Sequence, residues 1–262
     1  MPEPADANAR WTEMLSRWAI PEELIAAAPE PPYFFDPQVF IDAADEALDR
    51  DHDTPSDAVA RAALPAGGTV LDVACGAGAA SLRLSPGSVV GVDPSRPLLD
   101  AFAERATRLA IPATTLEGVW PDTASQTPVS DVVVCHHILY NVTDLAAFAA
   151  PLDQHAHRRV VVELTAVHPM AWMAPYWKAL YGLDQPTRPI AEDAVALLEA
   201  LGLDVHEQRF QRRYQMIGEN GEQSLQRIAR RLCLSPARHD ELADLLATSP
   251  PPLEREMVTL WW

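Results

Sequence analysis

The sequence predicts an α/β fold, a doubly wound and mainly parallel sheet with helices on both faces. Two observations carry this. Short apolar runs rich in Val recur along the middle of the chain and alternate with segments of helical periodicity, the pattern of a parallel sheet covered on both sides. The first of these runs, VLDVACGAG at residues 70–78, leads straight into closely spaced glycines, as a buried strand does when it turns into a helix.

The elements follow in order. Residues 8–28 carry apolar side chains at helical spacing with a break at Pro21, and 39–48 read as a short helix. Between them stands an aromatic cluster of Tyr33, Phe34, Phe35 and Phe40. This front segment, 1–54, is expected to be a helical cap outside the sheet. The core, 55–262, then alternates. Strands are expected at 69–74, 88–93, 112–117, 130–136, 158–164 and 204–210, with a final strand in the last nine residues. Helices are expected near 55–64, 77–84, 95–109, 143–155 and 191–201, the last stopped by Gly202. Two insertions interrupt the core. Residues 165–190 are rich in Trp, Tyr and Met; residues 211–252 hold two expected helices, 224–234 (arginine-rich) and 238–246.

The residues also suggest a ligand. Glycine at a turn lets backbone approach a ligand where a Cβ would intrude. The second strand, SVVGVD, ends in Asp93, and a carboxylate at a strand tip can accept both hydroxyls of a ribose. A nicotinamide dinucleotide fold would want a third Gly or Ala three residues after Gly78, where this chain has Ser81, and has no need of Asp72.

VLDVACGAG followed by GVDPS resembles the class I S-adenosylmethionine (SAM)-dependent methyltransferases. Asp72 stands for the usual acid, and Ala74, Gly76 and Gly78 for the three small residues, with Ala in place of the first Gly. SDVVVCHHILYNVTD at 130–144 and VVVEL at 160–164 are similar to the family's fourth and fifth strands. The resemblance spans about 55–210. It implies a Rossmann-like doubly wound seven-stranded sheet, last strand antiparallel, with SAM as cofactor. A narrower resemblance, to actinobacterial small-molecule methyltransferases ending in a TLWW-type strand, names no substrate.

The resemblance also assigns roles. The Ala74–Gly78 turn would run under the amino acid and ribose of SAM, with Asp72 acting through the turn or on the ammonium; a turn cap is the plainer role for Asp72. Asp93 would take the ribose hydroxyls, and Pro94 would pack on adenine. The third-strand motif departs from the family's Gly-Asp-Ala: EGVWPD places Val119 where the acid is expected and Trp120 where the small residue is. Val119 would serve adenine by its backbone, while Trp120 would stack on the purine or cap the sheet. Cys135 ends the fourth strand beside the cofactor. Of the histidines beyond it, His137 aligns with a residue that is usually structural, so His136 is the better base; His168, past the fifth strand, is the other candidate. Tyr140 and, in the first insertion, Trp172, Tyr176 and Trp177 are expected to line an acceptor pocket, a satellite core being the alternative. Tyr33 is expected to reach the cofactor from the cap. The expected reaction is methyl transfer to a small, partly apolar or aromatic acceptor, O-directed ahead of N-, S- or C-. The alternatives are a protein or tRNA methyltransferase, or a non-catalytic SAM-fold subunit.

Composition narrows the partners. The net charge of −17 works against nucleic acid, whose binding is dominated by phosphate neutralisation. No apolar run approaches the ~18–20 residues of a membrane helix. The acidic N-terminus is unlike a secretory signal. Three scattered cysteines form no metal-ligand pair and suit a reducing cytoplasm, and no compact carboxylate cluster calls for a metal. Acids crowd 1–55 and arginines 205–240. These are either two solvated faces or a contact between the segments, within the chain or across a homodimer.

Overall fold

Strands β1 (Thr69–Val73), β2 (Ser88–Asp93), β3 (Ala113–Glu117), β4 (Ser130–His136), β5 (Ala156–Thr165), β6 (His206–Arg213) and β7 (Glu254–Trp261) form a seven-stranded sheet in a computed structural model that describes residues 3–34, 36–213 and 221–262. The order is β3-β2-β1-β4-β5-β7-β6. β7 runs antiparallel to both neighbours, and the other pairs are parallel. The chain builds outward from β1 through β2 to β3, then returns to β4 on the other side. The crevice between the carboxyl ends of β1 and β4 is therefore the topological switch point, where open α/β sheets bind ligands.

Period-two alternation sorts the strands' side chains into two layers. Leu71, Val73, Val133, Cys135, Val160 and Val162 pack on one face. Their partners come from α1 (Pro4–Ser16), α6 (Leu145–Gln154) and α8 (Ala191–Ala200). Val70, Val132, Val134 and Val161 face the other way, under α4 (Pro55–Ala63) and α5 (Arg96–Arg108). Each such fully buried aliphatic side chain contributes roughly 1.5–3 kcal/mol. The same alternation puts Asp72, His136, Glu163 and Thr259 on the α4 face near the carboxyl ends. In register, Asp72 lies beside Val134, His136 beside Glu163, and Glu163 beside Thr259. Helix α4 starts there because Thr54 and Asp57 form a reciprocal capping box ahead of Pro55.

The expected helix over 77–84 does not form. A single 3₁₀ turn, Leu82–Leu84, stands in its place. Gly78 at φ +94° and Ser85 at φ +53° bracket too short a stretch to nucleate a helix.

The front segment is not one cap. Helix α1 lies on the α6–α8 layer, with the Trp11 indole donating to Val142 O at 2.8 Å. Helix α3 (Pro37–Asp49) packs beside the glycine turn, where Ala44 meets Ala77 and Leu98, and Asp45 binds Arg105 at 2.6 Å. Helix α2 (Glu22–Ala27) joins the two insertions. Leu24 and Ile25 pack with α7 (Ala174–Tyr181), α9 (Gly221–Arg231) and α10 (His239–Thr248) into a third apolar cluster, separate from the sheet. Phe35 of the aromatic cluster and part of the second insertion, 214–220, lie outside the described residues.

One acid of the front segment, Glu30, meets the arginine-rich helix directly. Glu30 pairs with Arg230 at 2.6 Å, and Arg231 lies 4.7 Å over the Tyr33 ring. The charge asymmetry is thus joined within the chain.

Candidate active site

One carboxylate ties three strand ends together. Asp93 accepts from Gly76 N and Ser95 N, both at 2.9 Å, while its carbonyl accepts from Gly118 N at 3.1 Å. Each carboxylate oxygen retains a further lone pair. Alternate residues of the glycine turn have positive φ: Ala74 at +57°, Gly76 at +51° and Gly78 at +94°. The two glycines serve different ends. A Cβ on Gly76 would meet nothing within 4 Å, so that backbone is open to a ligand; one on Gly78 would strike Leu82 at 2.5 Å, so that glycine is needed for packing.

Asp72 is buried beneath this turn. Its Oδ2 accepts from the Ser81 hydroxyl at 2.5 Å, while Oδ1 has no hydrogen-bond partner among the described residues. Burial, reinforced by the nearby Asp93 charge, raises its pKa to about 7. An open backbone over Gly76, a carboxylate with spare lone pairs at the β2 tip and a buried carboxylate oxygen awaiting a donor suit a ligand with a ribose and an ammonium group. They suit the cofactor that the glycine motif implies.

The other expected cofactor contacts divide. Pro94 and Val119 are exposed, Val119 one residue past the Gly118 link to Asp93. Trp120 is not available to stack on a purine: its ring is buried against the sheet, edge-on to His155, and its indole donates to Phe148 O at 3.1 Å. The Cys135 side chain is buried in the opposite layer, leaving only its backbone near the cleft. Tyr33 is engaged at the third apolar cluster, termed the lid from here on, with its hydroxyl accepting from Ile20 N at 3.1 Å.

The tip of β4 reverses the expected order of the histidines. His136 is half-buried: its Nε2 is buried without a partner among the described residues, and burial pushes its pKa down to about 4. His137, in the left-handed region at φ +63°, turns back toward β5 with its side chain half exposed. Its Nε2 lies 3.1 Å from Glu163 Oε1 and its backbone N donates to Glu163 O at 2.7 Å. Glu163 is completely buried. Arg212 donates to both its oxygens, at 2.6 and 3.1 Å, and Ser56 donates to Oε2 at 2.7 Å. These hydrogen bonds and charges hold its carboxyl well below the usual range despite burial. Neither Glu163 nor Arg212 stood out as a functional residue in the sequence. The available signal was Glu163 itself, since a charge inside the buried run VVVEL requires a partner.

His168 is likewise no free base. It stacks on Trp18 at 3.8 Å between ring centroids, its Nδ1 accepts from Met170 N, and burial lowers its pKa to about 3. Tyr140 donates its hydroxyl to Thr165 O at 2.9 Å, so it serves the core rather than an acceptor. Tyr176 and Trp177 are interior to the lid cluster, the Tyr176 hydroxyl donating to Ser249 O; Trp172, half-buried, meets Tyr176 edge-on. The insertion is thus largely the satellite core. A cleft of about 560 Å³ lies elsewhere, beneath α3 and the 3₁₀ turn. Of its lining arginines, Arg50 and Arg83 pair with Asp57, and Arg108 with Asp45.

Residues 70–157 match the family described as a methyltransferase domain. No curated protein matches by sequence. Among solved structures, the chain is similar to a SAM-dependent methyltransferase from Thiobacillus denitrificans in complex with S-adenosyl-L-homocysteine (18% identity, TM-score 0.54, covering 87% of this chain and 99% of that one). A SAM-dependent methyltransferase from Geobacter sulfurreducens, also in complex with S-adenosyl-L-homocysteine, gives 16% identity and TM-score 0.52 over 85% and 97%. YjhP from E. coli gives 15% and 0.54 over 85% and 98%. At these identities the likeness is one of fold. Residues 70–157 thus match a methyltransferase-domain model, and the seven-stranded sheet has the Rossmann-like fold of these structures.

Proposed function

We propose that this chain is a SAM-dependent methyltransferase acting on a small, partly apolar or aromatic acceptor, through oxygen ahead of nitrogen, sulfur or carbon. The observation that carries the cofactor is the open backbone of Gly76 held by Asp93 above the unpartnered Oδ1 of Asp72. The turn would hold the amino acid end, Asp93 the ribose, and Pro94 with the Val119 backbone the adenine. SAM supplies an electrophilic methyl on a cationic sulfur. The chain's own task is to orient the acceptor and exclude water.

A small acceptor suits the roof over the carboxyl edge. Trp18 of the α1–α2 connection lies on His168 beyond β5, and α2, α7 and α9 close a helical layer beside it. The tRNA alternative is weakened by the arginines. Arg209 pairs with Glu192, Arg212 with Glu163, Arg230 with Glu30 and Arg238 with Glu241, so these are spent within the chain. A cytoplasmic setting belongs to the same reading, supported by three free cysteines. Among the described residues no helix is long and apolar enough to cross a membrane. Homodimerisation loses its charge argument, because the two segments already meet in one chain.

Calorimetric titration with SAM and S-adenosylhomocysteine tests the proposal. Micromolar binding, about −8 kcal/mol, is expected for the parent, with a loss of at least tenfold in Asp93→Asn. No binding of either ligand would refute it; binding without methyl transfer to any acceptor would favour the non-catalytic subunit.

A further inference from the structure

We propose that His137, oriented by Glu163, is the general base that takes the proton from a hydroxyl acceptor at the β1–β4 crevice. This rests on the methyltransferase reading and adds to it the residue that activates the acceptor.

Position comes first. His137 is the first residue past β4, and β4 is the direct neighbour of the strand that ends in the glycine turn. The chain leaves the β4 tip at the switch point, and the His137 side chain turns from there onto Glu163 of β5. His137 does so in a left-handed conformation that is uncommon for a residue with a Cβ. The bond from its backbone N to Glu163 O fixes that turn. Such backbone is retained where surrounding structure over-determines it, and it concentrates at functional sites.

Chemistry comes second. Glu163 Oε1, which accepts, and Arg212 Nη1, which donates, both face Nε2; in the tautomer whose Nε2 proton points to Glu163, the lone pair of the imidazole resides on Nδ1. A carboxylate behind one nitrogen orients the ring and supports the imidazolium once formed. Glu163 is shared: Arg212 of β6 engages both its oxygens, and its Nη1 lies 3.2 Å from His137 Nε2. A carboxylate and a guanidinium thus both lie against the Nε2 side of the ring. The remaining groups are Ser56 of α4 on Glu163, the His136 ring 6.2 Å away, and Asp57 and Arg50 behind them. The Nε2 of His136 is buried and His168 is buried, while His137 is the most exposed of the three, its side chain half exposed.

In the step, the acceptor O–H bond breaks and its proton passes to Nδ1. The oxygen lone pair forms a bond to the methyl carbon as the carbon–sulfur bond breaks, that electron pair remaining on sulfur. A methyl ether and a neutral thioether result, and His137 returns its proton to water.

The test uses the full-length protein with ¹³Cε1-labelled histidine. The resonance missing in His137→Asn identifies His137. SAM and S-adenosylhomocysteine differ by one methyl and one positive charge, so a base facing the methyl must titrate at lower pH in the SAM complex. Glu163→Gln must also lower that titration. Identical titration in the two complexes, with calorimetry showing both bound, overturns the base assignment and leaves the methyltransferase reading intact. Failure of both ligands to bind overturns the two together. In a second arm, transfer from methyl-tritiated SAM to 2-naphthol should fall at least a hundredfold in His137→Ala, with SAM affinity within twofold, and recover in part with added imidazole. Unchanged turnover in that variant, or a loss that imidazole does not relieve, counts against the proposal.

Discussion

The Ser81 hydroxyl donates to Asp72 Oδ2 at 2.5 Å, across the whole glycine turn. This bond ties the end of β1 to the residue just before the 3₁₀ turn. It is also the hydrogen bond holding a carboxylate whose other oxygen has none among the described residues. Ser81→Ala would remove the hydroxyl donor and leave Asp72 only the Ser81 backbone. Leaving a buried polar group unsatisfied costs about 1–3 kcal/mol. Urea unfolding should show a loss in that range, and an unchanged midpoint would mean that water replaces the hydroxyl.

Asp72 also predicts a pH dependence of definite sign. Its pKa is raised from 3.8 to about 7, chiefly by burial. The folded state then binds a proton that the unfolded state releases. Its contribution is fully present below pH ~4 and is lost as pH rises through about 7, an effect of up to roughly 4 kcal/mol. His136, with a pKa lowered to about 4, drives the opposite slope. Comparing parent with Asp72→Asn cancels His136. The parent's advantage over the variant should shrink steadily between pH 4 and 7; a constant difference would show that Asp72 is ionised throughout.

Ala74 and Gly78 predict opposite responses to exchange of Ala and Gly. Ala74 sits at φ +57°, where a Cβ costs about 1–2 kcal/mol. Ala74→Gly removes that strain but adds ~0.4–1 kcal/mol of unfolded-chain entropy, so it should be neutral or stabilising by up to ~1.6 kcal/mol. Gly78→Ala places a Cβ 2.5 Å from Leu82 and 3.1 Å from Phe102, at φ +94°. It should lose at least ~2 kcal/mol. Thermal melts of both variants decide this, and similar shifts for the two would contradict the assignment of strain.

The central strands were legible because β1, β2, β4 and β5 are largely buried apolar runs, whereas β3 and β6 are exposed or half-buried. The glycine turn was legible because φ above zero selects for Gly and small residues, and Asp93 because it ends an apolar strand. The helix over 77–84 misled because its periodicity was right while Gly78 and Ser85 cut it short. The histidines misled for a related reason. Strand alternation gives His136 a defined face, but a left-handed residue at 137 swings the next side chain onto Glu163, and that turn has no sequence signature. The Arg212–Glu163 pair spans 49 positions and depends on β7 inserting between β5 and β6, which no local pattern encodes. The aromatic insertion read as a pocket because aromatic residues serve cores and pockets alike.

Trp177 tests whether the lid is a unit of its own. It is buried among Met173, Ile228, Leu232 and Leu242, in a cluster with no member from the sheet. Trp→Ala in a core costs about 3–5 kcal/mol. Where that cost falls depends on coupling. Helix α1 is fastened to the sheet side by Trp11 and Asn8, whose bonds reach Val142, Asp144 and Ala146. Helix α2 instead belongs to the lid, and α9 is held to the residues after α2 by Glu30–Arg230 and by Arg231 over Tyr33. Trp177→Ala should therefore loosen α2, α7, α9 and α10 together while β1–β5 keep their protection. Hydrogen exchange should rise in 20–34, 170–183 and 221–248 and stay low in the central strands. SAM affinity should change little, since the glycine turn is walled by α3 rather than by this cluster. A uniform rise across sheet and lid would show one cooperative core, and the helical layer would then have no independent motion with which to admit an acceptor.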